Sequence, residues 1–239
     1  MNQQHLAIAT MAWARDEVEE KLLREALPEL SGLGIPVYLT DGGSGEAFLN
    51  FLKSLPNFIL PDTSIKGLWP QVQHSLNNAY DSGAPFILYT EPDKRDFFKK
   101  GLPEMLASIS LNERTGTILA ARSAAGFASY PAFQQMTETT INNCCSEATG
   151  NDTDYTYGPF IMNSLLVPYL HGLKNEIGWG WRPFTFVISE RLDLKTETLR
   201  GEYFCPPEQQ VDSPSERVYR MRQLSENIEA IVLAKTATL

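Results

Sequence analysis

The sequence predicts an α/β fold with a mostly parallel central sheet flanked by helices. Two observations carry that prediction. Short, unbroken apolar runs recur through residues 1–95, and each is followed by a segment with helical spacing. Strands covered on both faces read as such runs, and their alternation with longer helices implies right-handed crossovers between parallel neighbours. A fold of this kind places its ligand crevice at the carboxyl ends of the strands.

Each element follows from its residues. LAIATMAW (6–13) is the first buried strand. DEVEEKLLREALPEL follows, with Val18, Leu22, Leu23, Ala26 and Leu30 at helical spacing and acids at its start, where the helix dipole favours them. IPVYLT (35–40) is the second strand and runs into the turn Asp41-Gly42-Gly43-Ser44-Gly45. EAFLNFLKSL is a helix and NFILPD (57–62) a short third strand. Leu68, Val72, Leu76 and Ala79 mark the next helix, and PFILYT (85–90) is the fourth strand.

Beyond it the pattern is less regular. GLPEMLASIS reads as a helix and TGTILAARSA as a fifth strand. The stretch 132–150 is polar and Thr/Asn-rich and is left unassigned, and NDTDYTYGP then reads as a loop. FIMNSLLVPYLHGL has helical character, and RPFTFVISERLDL (182–194) contains a strand of alternating large residues. A final helix covers about 215–234, with Val218, Met221, Leu224, Ile228, Ile231 and Val232 on one side. Without an evident linker or repeat, residues 1–239 read as one domain: a nucleotide-binding half (1–95), an acceptor half (96–212) and the last helix (213–239).

Composition removes several function classes. Twenty Lys+Arg against 29 Asp+Glu give a net charge of −9, which lacks the basic footprint of a nucleic-acid binder. No apolar run approaches the roughly 18 residues of a membrane span. The segment MNQQHLAIATMAWARDE has no cationic region before its apolar stretch, so it is not read as a signal peptide, and the cytoplasm is the expected compartment. Cys144, Cys145 and Cys205 form no disulfide framework and no CxxC pair, and His5, His74 and His171 lie far apart. The cysteines are expected to be inert, and no structural zinc site is expected.

The informative residues fall at strand ends. Glu91 and Asp93, separated by Pro92, follow the fourth strand. Two carboxylates so placed can converge on Mg²⁺ or Mn²⁺, hard ions that complete their shells with water and phosphate oxygens. The bland reading is a Pro-stiffened acidic turn paired with Lys94 or Arg95. The TDGGSGE turn lets backbone approach a ligand, and Asp41 is a candidate acceptor from a ribose or base. Neither GxGxxG nor GxxxxGK[ST] occurs.

Taken together and in order, these segments resemble the nucleotide-diphospho-sugar transferases of the GT-A fold, closest in layout to family 2 glycosyltransferases. The resemblance runs from residue 6 to about residue 190. Asp41-Gly42-Gly43-Ser44-Gly45 is similar to the family's Asp-rich turn, Lys66-Gly67 to its Lys/Asn-Gly step, and Glu91-Pro92-Asp93 to its DxD motif. Gly178-Trp179-Gly180-Trp181 is similar to its acceptor-side Gly-Trp segment. The chain departs in having Glu91 and Pro92 within the acidic motif and no histidine after His171.

The resemblance implies a glycosyltransferase that takes its sugar from a UDP- or GDP-linked donor and passes it to an unidentified acceptor. A metal at Glu91 and Asp93 is to bridge the donor phosphates. Thr10, Ala12 and Asp41 are to hold the nucleoside and Lys66 to reach a phosphate; as a plain surface lysine it would be solvated. Arg122 is to bind an anionic acceptor or the pyrophosphate, or else to pair with a nearby acid. An inverting enzyme also needs a base, for which Glu176 is preferred and Asp152 and Asp154 are rivals; a retaining enzyme needs none. Trp179 and Trp181 offer faces to a sugar ring or serve as core anchors.

Two other readings compete. A nucleotidyltransferase carries a glycine-rich basic loop after its first strand, whereas MAWARDE here has no glycine. A non-catalytic assembly protein on a degenerate GT-A scaffold fits the altered acidic motif. The apolar stripe of the last helix needs a covering surface, either its own domain or a second copy in a homodimer.

Overall fold

The computed structural model describes residues 6–238; residues 1–5, with His5 and the start of the segment read above for a leader, lie outside the described residues. Strands β1 (Leu6–Ala12), β2 (Val37–Asp41), β3 (Phe58–Ile59) and β4 (Phe86–Tyr89) alternate with helices α1 (Glu17–Ser31), α2 (Glu46–Ser54) and α3 (Leu68–Asp81). A π-helical turn, Phe97–Gly101, leads into α4 (Leu102–Ser108). Then come β5 (Thr115–Arg122), α5 (Ala124–Ala128), α6 (Ala132–Thr149), β6 (Phe160–Asn163), α7 (Val167–Leu170), α8 (Trp181–Arg191), β7 (Lys195–Gly201) and α9 (Pro214–Thr236).

These elements form two compact units. The first holds the described residues up to Leu111 together with Pro159–His171; the second holds Asn112–Gly158 and the described residues from Gly172 on. In the first unit the strand order is β3-β2-β1-β4-β6. β1 pairs in parallel with β2 (Ile8 opposite Val37) and with β4 (Ala9 opposite Tyr89), and β6 runs antiparallel to β4. Ile8, Leu39, Phe48, Leu52, Trp69, Val72 and Leu88 form its core. The Asp16 side chain caps α1, accepting from the Val18 and Glu19 N–H groups at 3.0 and 2.9 Å. Val18, placed on the apolar face by spacing, is exposed, and Leu27 joins Leu23, Ala26 and Leu30 in the interior instead.

In the second unit β5 and β7 pair in parallel, Ile118 opposite Glu197. Here the structure adds two elements that the sequence left unassigned, α6 and β7, and corrects one expectation. The polar stretch 132–150 is a regular helix, α6, closed by Gly150 in the left-handed conformation. The segment expected to be a strand at 182–194 is the helix α8, buried on nearly every side, so that no face stands out. The strand β7, not anticipated, is a partly exposed run with little apolar patterning. A second correction falls in the first unit, where the expected helix over FIMNSLLVPYLHGL begins instead as β6, buried at all four positions. The fold class stands: α/β, with a mostly parallel sheet and flanking helices.

Candidate functional site

The carboxyl ends of β1, β2 and β4 lie side by side in the first unit. Asp41 ends β2 and is fully buried. Its Oδ1 accepts the Gly43 and Ser44 N–H groups, both at 2.8 Å, and its Oδ2 accepts the Ser44 hydroxyl at 2.6 Å. Asp41 therefore spends its carboxylate on shaping the glycine turn, and what the turn offers a ligand is backbone. Ser44 Oγ also accepts the Ala14 N–H at 2.8 Å, and the Gly42 N–H donates to the Ala12 carbonyl at 2.8 Å. Both contacts tie the chain after β1 to the turn after β2. Thr10 is buried, its hydroxyl donating to the Thr90 carbonyl at 2.8 Å, so it braces β1 against the end of β4.

Lys66 donates from Nζ to the Gly42 carbonyl and lies 4.4 Å from the centroid of the Trp13 ring. The Arg15 guanidinium sits 5.6 Å from the same ring and is held by Glu19. Trp13 is 39% exposed. Sequence reasoning passed over it because a tryptophan at the end of an apolar run reads as part of the strand. Gly43 has φ +103°, and a Cβ there would fall 2.5 Å from Lys66 Nζ. Gly43→Ala is expected to destabilise by about 1–3 kcal/mol and to dislodge Lys66, as measured by thermal unfolding and by nucleotide titration.

The acidic motif follows directly from β4. Its exit is fixed by the Arg95 N–H donating to the Asp93 carbonyl at 2.9 Å and the Phe98 N–H donating to the Lys94 carbonyl at 2.9 Å. Phe97 and Phe98 are buried in the π-helical turn beyond. Arg95 pairs with Glu25 at 2.7 Å and Lys99 with Glu29 at 3.5 Å, so two bridges hold this segment to α1. Among the described residues no three His, Cys, Asp or Glu side chains gather to hold a metal by themselves. Two half-buried carboxylates fit a hard divalent ion that draws its other ligands from water and phosphate.

The second unit places the remaining residues. Arg122 ends β5, buried; its Nε donates to Asp154 Oδ2 at 2.7 Å and its Nη2 to Glu138 Oε2 at 2.7 Å and Thr156 Oγ1 at 2.8 Å. The rings of Phe127 and Tyr130 lie 4.6 and 4.5 Å from it. Burial works against the charged guanidinium, but Glu138 and Asp154 outweigh it and raise the Arg122 pKa above the ordinary value. Burial would likewise raise the Asp154 pKa, yet the hydrogen bonds and charge of Arg122 hold it well below the usual carboxylate range. The acid pairing weighed for Arg122 is thus what the structure contains, and Asp154 sits inside that network. Asp152 is exposed, and its carbonyl accepts from Arg200 at 3.3 Å.

Glu176 is exposed. Trp181 is fully buried and acts as a core anchor. Trp179 is half-exposed, with its Nε1–H donating to the Tyr219 hydroxyl at 2.6 Å and Arg182 lying 4.7 Å from its ring. Its backbone N–H donates to Glu226 Oε2 at 2.9 Å. Burial pushes the Glu226 carboxyl above its ordinary pKa against the opposing pull of the Trp179 N–H. Gly178 has φ +50°, and a Cβ there would collide with the Glu226 carboxylate. Glu226 was not legible as a partner of this segment because it lies far along the chain on α9. The three cysteines are free, and burial raises the Cys145 thiol pKa.

No protein-family model matches the chain, and no curated protein matches its sequence. Solved structures match its fold. Glucosyl-3-phosphoglycerate synthase from Mycobacterium tuberculosis in complex with uridine diphosphate superposes with a TM-score of 0.65 at 12% identity, covering 99% of this chain and 82% of that one. Another crystal structure of the same synthase gives a TM-score of 0.62 at 14% identity, covering 97% and 80%. Its complex with Mn²⁺, UDP-glucose and phosphoglyceric acid gives 0.59 at 12% identity, covering 97% and 79%. The chain has the GT-A fold of these nucleotide-sugar transferases.

Proposed function

We propose that this chain is a glycosyltransferase that moves a sugar from a UDP-linked donor to an acceptor hydroxyl with the help of Mg²⁺ or Mn²⁺. The observation that carries the reading is the convergence, at neighbouring strand ends of a GT-A fold, of a ligand-ready glycine turn, a cation over an exposed tryptophan, and two carboxylates. Support for UDP and for the metal comes from the solved neighbours, whose complexes contain UDP with Mn²⁺ or Mg²⁺.

In this reading Trp13 offers its face to the base, while Thr10 and Ala12 hold the strand end beneath it. Asp41 shapes the turn whose backbone meets the nucleoside. Lys66 exchanges the Gly42 carbonyl for a donor phosphate oxygen. Glu91 and Asp93 hold the cation, which supplies charge neutralisation on the leaving diphosphate when bound. In the second unit Glu176 is the proposed base, Trp179 the proposed sugar platform, and Arg122 keeps the 151–158 loop in place from within its ion network. We take residues 1–239, with both compact units, as one catalytic domain and the cytoplasm as its compartment, the latter supported by three free cysteines; among the described residues no helix is long and apolar enough to cross a membrane.

Release of UDP or GDP from a panel of nucleotide sugars, with Mn²⁺ present, tests the proposal. UDP release from at least one donor is expected, and Lys66→Met should weaken UDP binding about tenfold through the lost charge-assisted contact. Absence of release and of binding for every nucleotide tried would overturn it.

A further inference from the structure

The last helix carries most of its larger aliphatic side chains, Ile231 excepted, away from its buried face. Its buried face consists of Gln223, Asn227, Ala230, Ile231 and Ala234. With about 100° of turn per residue, the opposite side presents Val218, Met221, Ser225, Ile228 and Val232, spaced alternately three and four apart. Val218, Met221 and Val232 are 54%, 50% and 58% exposed. A 3.5-residue apolar repeat on the solvent side is the pattern of a two-helix seam, not of a solvated surface.

We propose that this seam is covered by α9 of a second copy of the chain, running antiparallel to it about a two-fold axis. The charges beside the seam select that partner and that direction. Arg222 and Glu229 are exposed on the same flank, seven residues apart. In an antiparallel self-pairing, Met221 packs against the partner's Val232, Ser225 against the partner's Ile228, and Arg222 meets the partner's Glu229. The two-fold repeats each contact, and the small Ser225 lets the helices approach at the centre. A parallel pairing would instead bring Arg217 of one chain toward the partner's Arg222, with like charges opposed. The surface is therefore self-complementary, as an isologous dimer requires. The inference does not depend on the transferase reading.

Sedimentation or light scattering over a wide concentration range tests it on the full chain. The wild type is expected at twice its 26.8 kDa mass. Arg222→Glu is expected to weaken the dimer about tenfold or more by facing two acids across the seam, and the double variant Arg222→Glu/Glu229→Arg to restore it. Met221→Glu should give a monomer with an unchanged circular dichroism spectrum, because the position lies outside the folded core. A wild type that stays monomeric throughout overturns the proposal. So does a dimer that ignores Met221→Glu, or a charge reversal that the double variant does not rescue.

Discussion

Asp93→Ala is expected to lower turnover by about 100-fold or more and to make UDP binding indifferent to Mn²⁺. The physical reason is the shortage of ligands. Glu91 and Asp93 belong to no larger cluster of ligating side chains among the described residues, so the loss of one carboxylate leaves a single protein ligand in the pair. The exit of the motif rests on backbone hydrogen bonds of Asp93 and Lys94 and on ion pairs of Arg95 and Lys99 with α1. None of these uses the Asp93 side chain, so the backbone of the motif should hold its course while metal-linked binding disappears. A variant that loses stability and activity together would place Asp93 in the architecture instead.

Arg122→Met is expected to have the largest effect on stability, a loss of about 3–5 kcal/mol in denaturant unfolding. It removes the cation that pairs with both Glu138 and Asp154 and leaves two buried carboxylates without it. The pH dependence should reverse as well. In the wild type the folded pKa of Asp154 lies below its ordinary value of 3.8. Its contribution is therefore fully present above that value and is lost as pH falls from there through the folded pKa. In the variant the pull of Arg122 is gone and burial raises the Asp154 carboxyl, so stability should improve as the solution is acidified through the carboxylate range. Urea unfolding of both proteins between neutral and acid pH separates the two slopes.

The first unit was legible because its strands are covered on both faces. LAIATMA, VYLT and FILY show as unbroken apolar runs, and α1 and α3 carry one-sided apolar spacing. The second unit hides its elements. α8 is buried almost all round, which leaves a helix without a face and looks like a strand of large residues. α6 buries Gln134, Thr137 and Glu138 among its contacts, and those polar positions answer to the Arg122 network, which composition does not display. β7 is partly exposed and follows its partner β5 in register, not in hydrophobicity.

The site divides in the same way. Glu91, Asp93 and Lys66 are read from position after a strand or before a helix. The commitment of the Asp41 carboxylate to its own turn, the Lys66–Trp13 stack and the Glu226 contact with Trp179 depend on side-chain geometry. In α9 the stripe that spacing assigned to one face divides. Ile231 turns inward, and Val218, Met221 and Val232 turn outward.

Calorimetric titration of the purified chain with UDP, first with Mn²⁺ and then with chelator, tests the central claim most directly. Micromolar binding is expected that collapses when the metal is removed and that loses its metal dependence in Asp93→Ala. Binding unchanged by chelator would contradict the assignment of Glu91 and Asp93, and no binding of UDP under either condition would contradict the donor site itself.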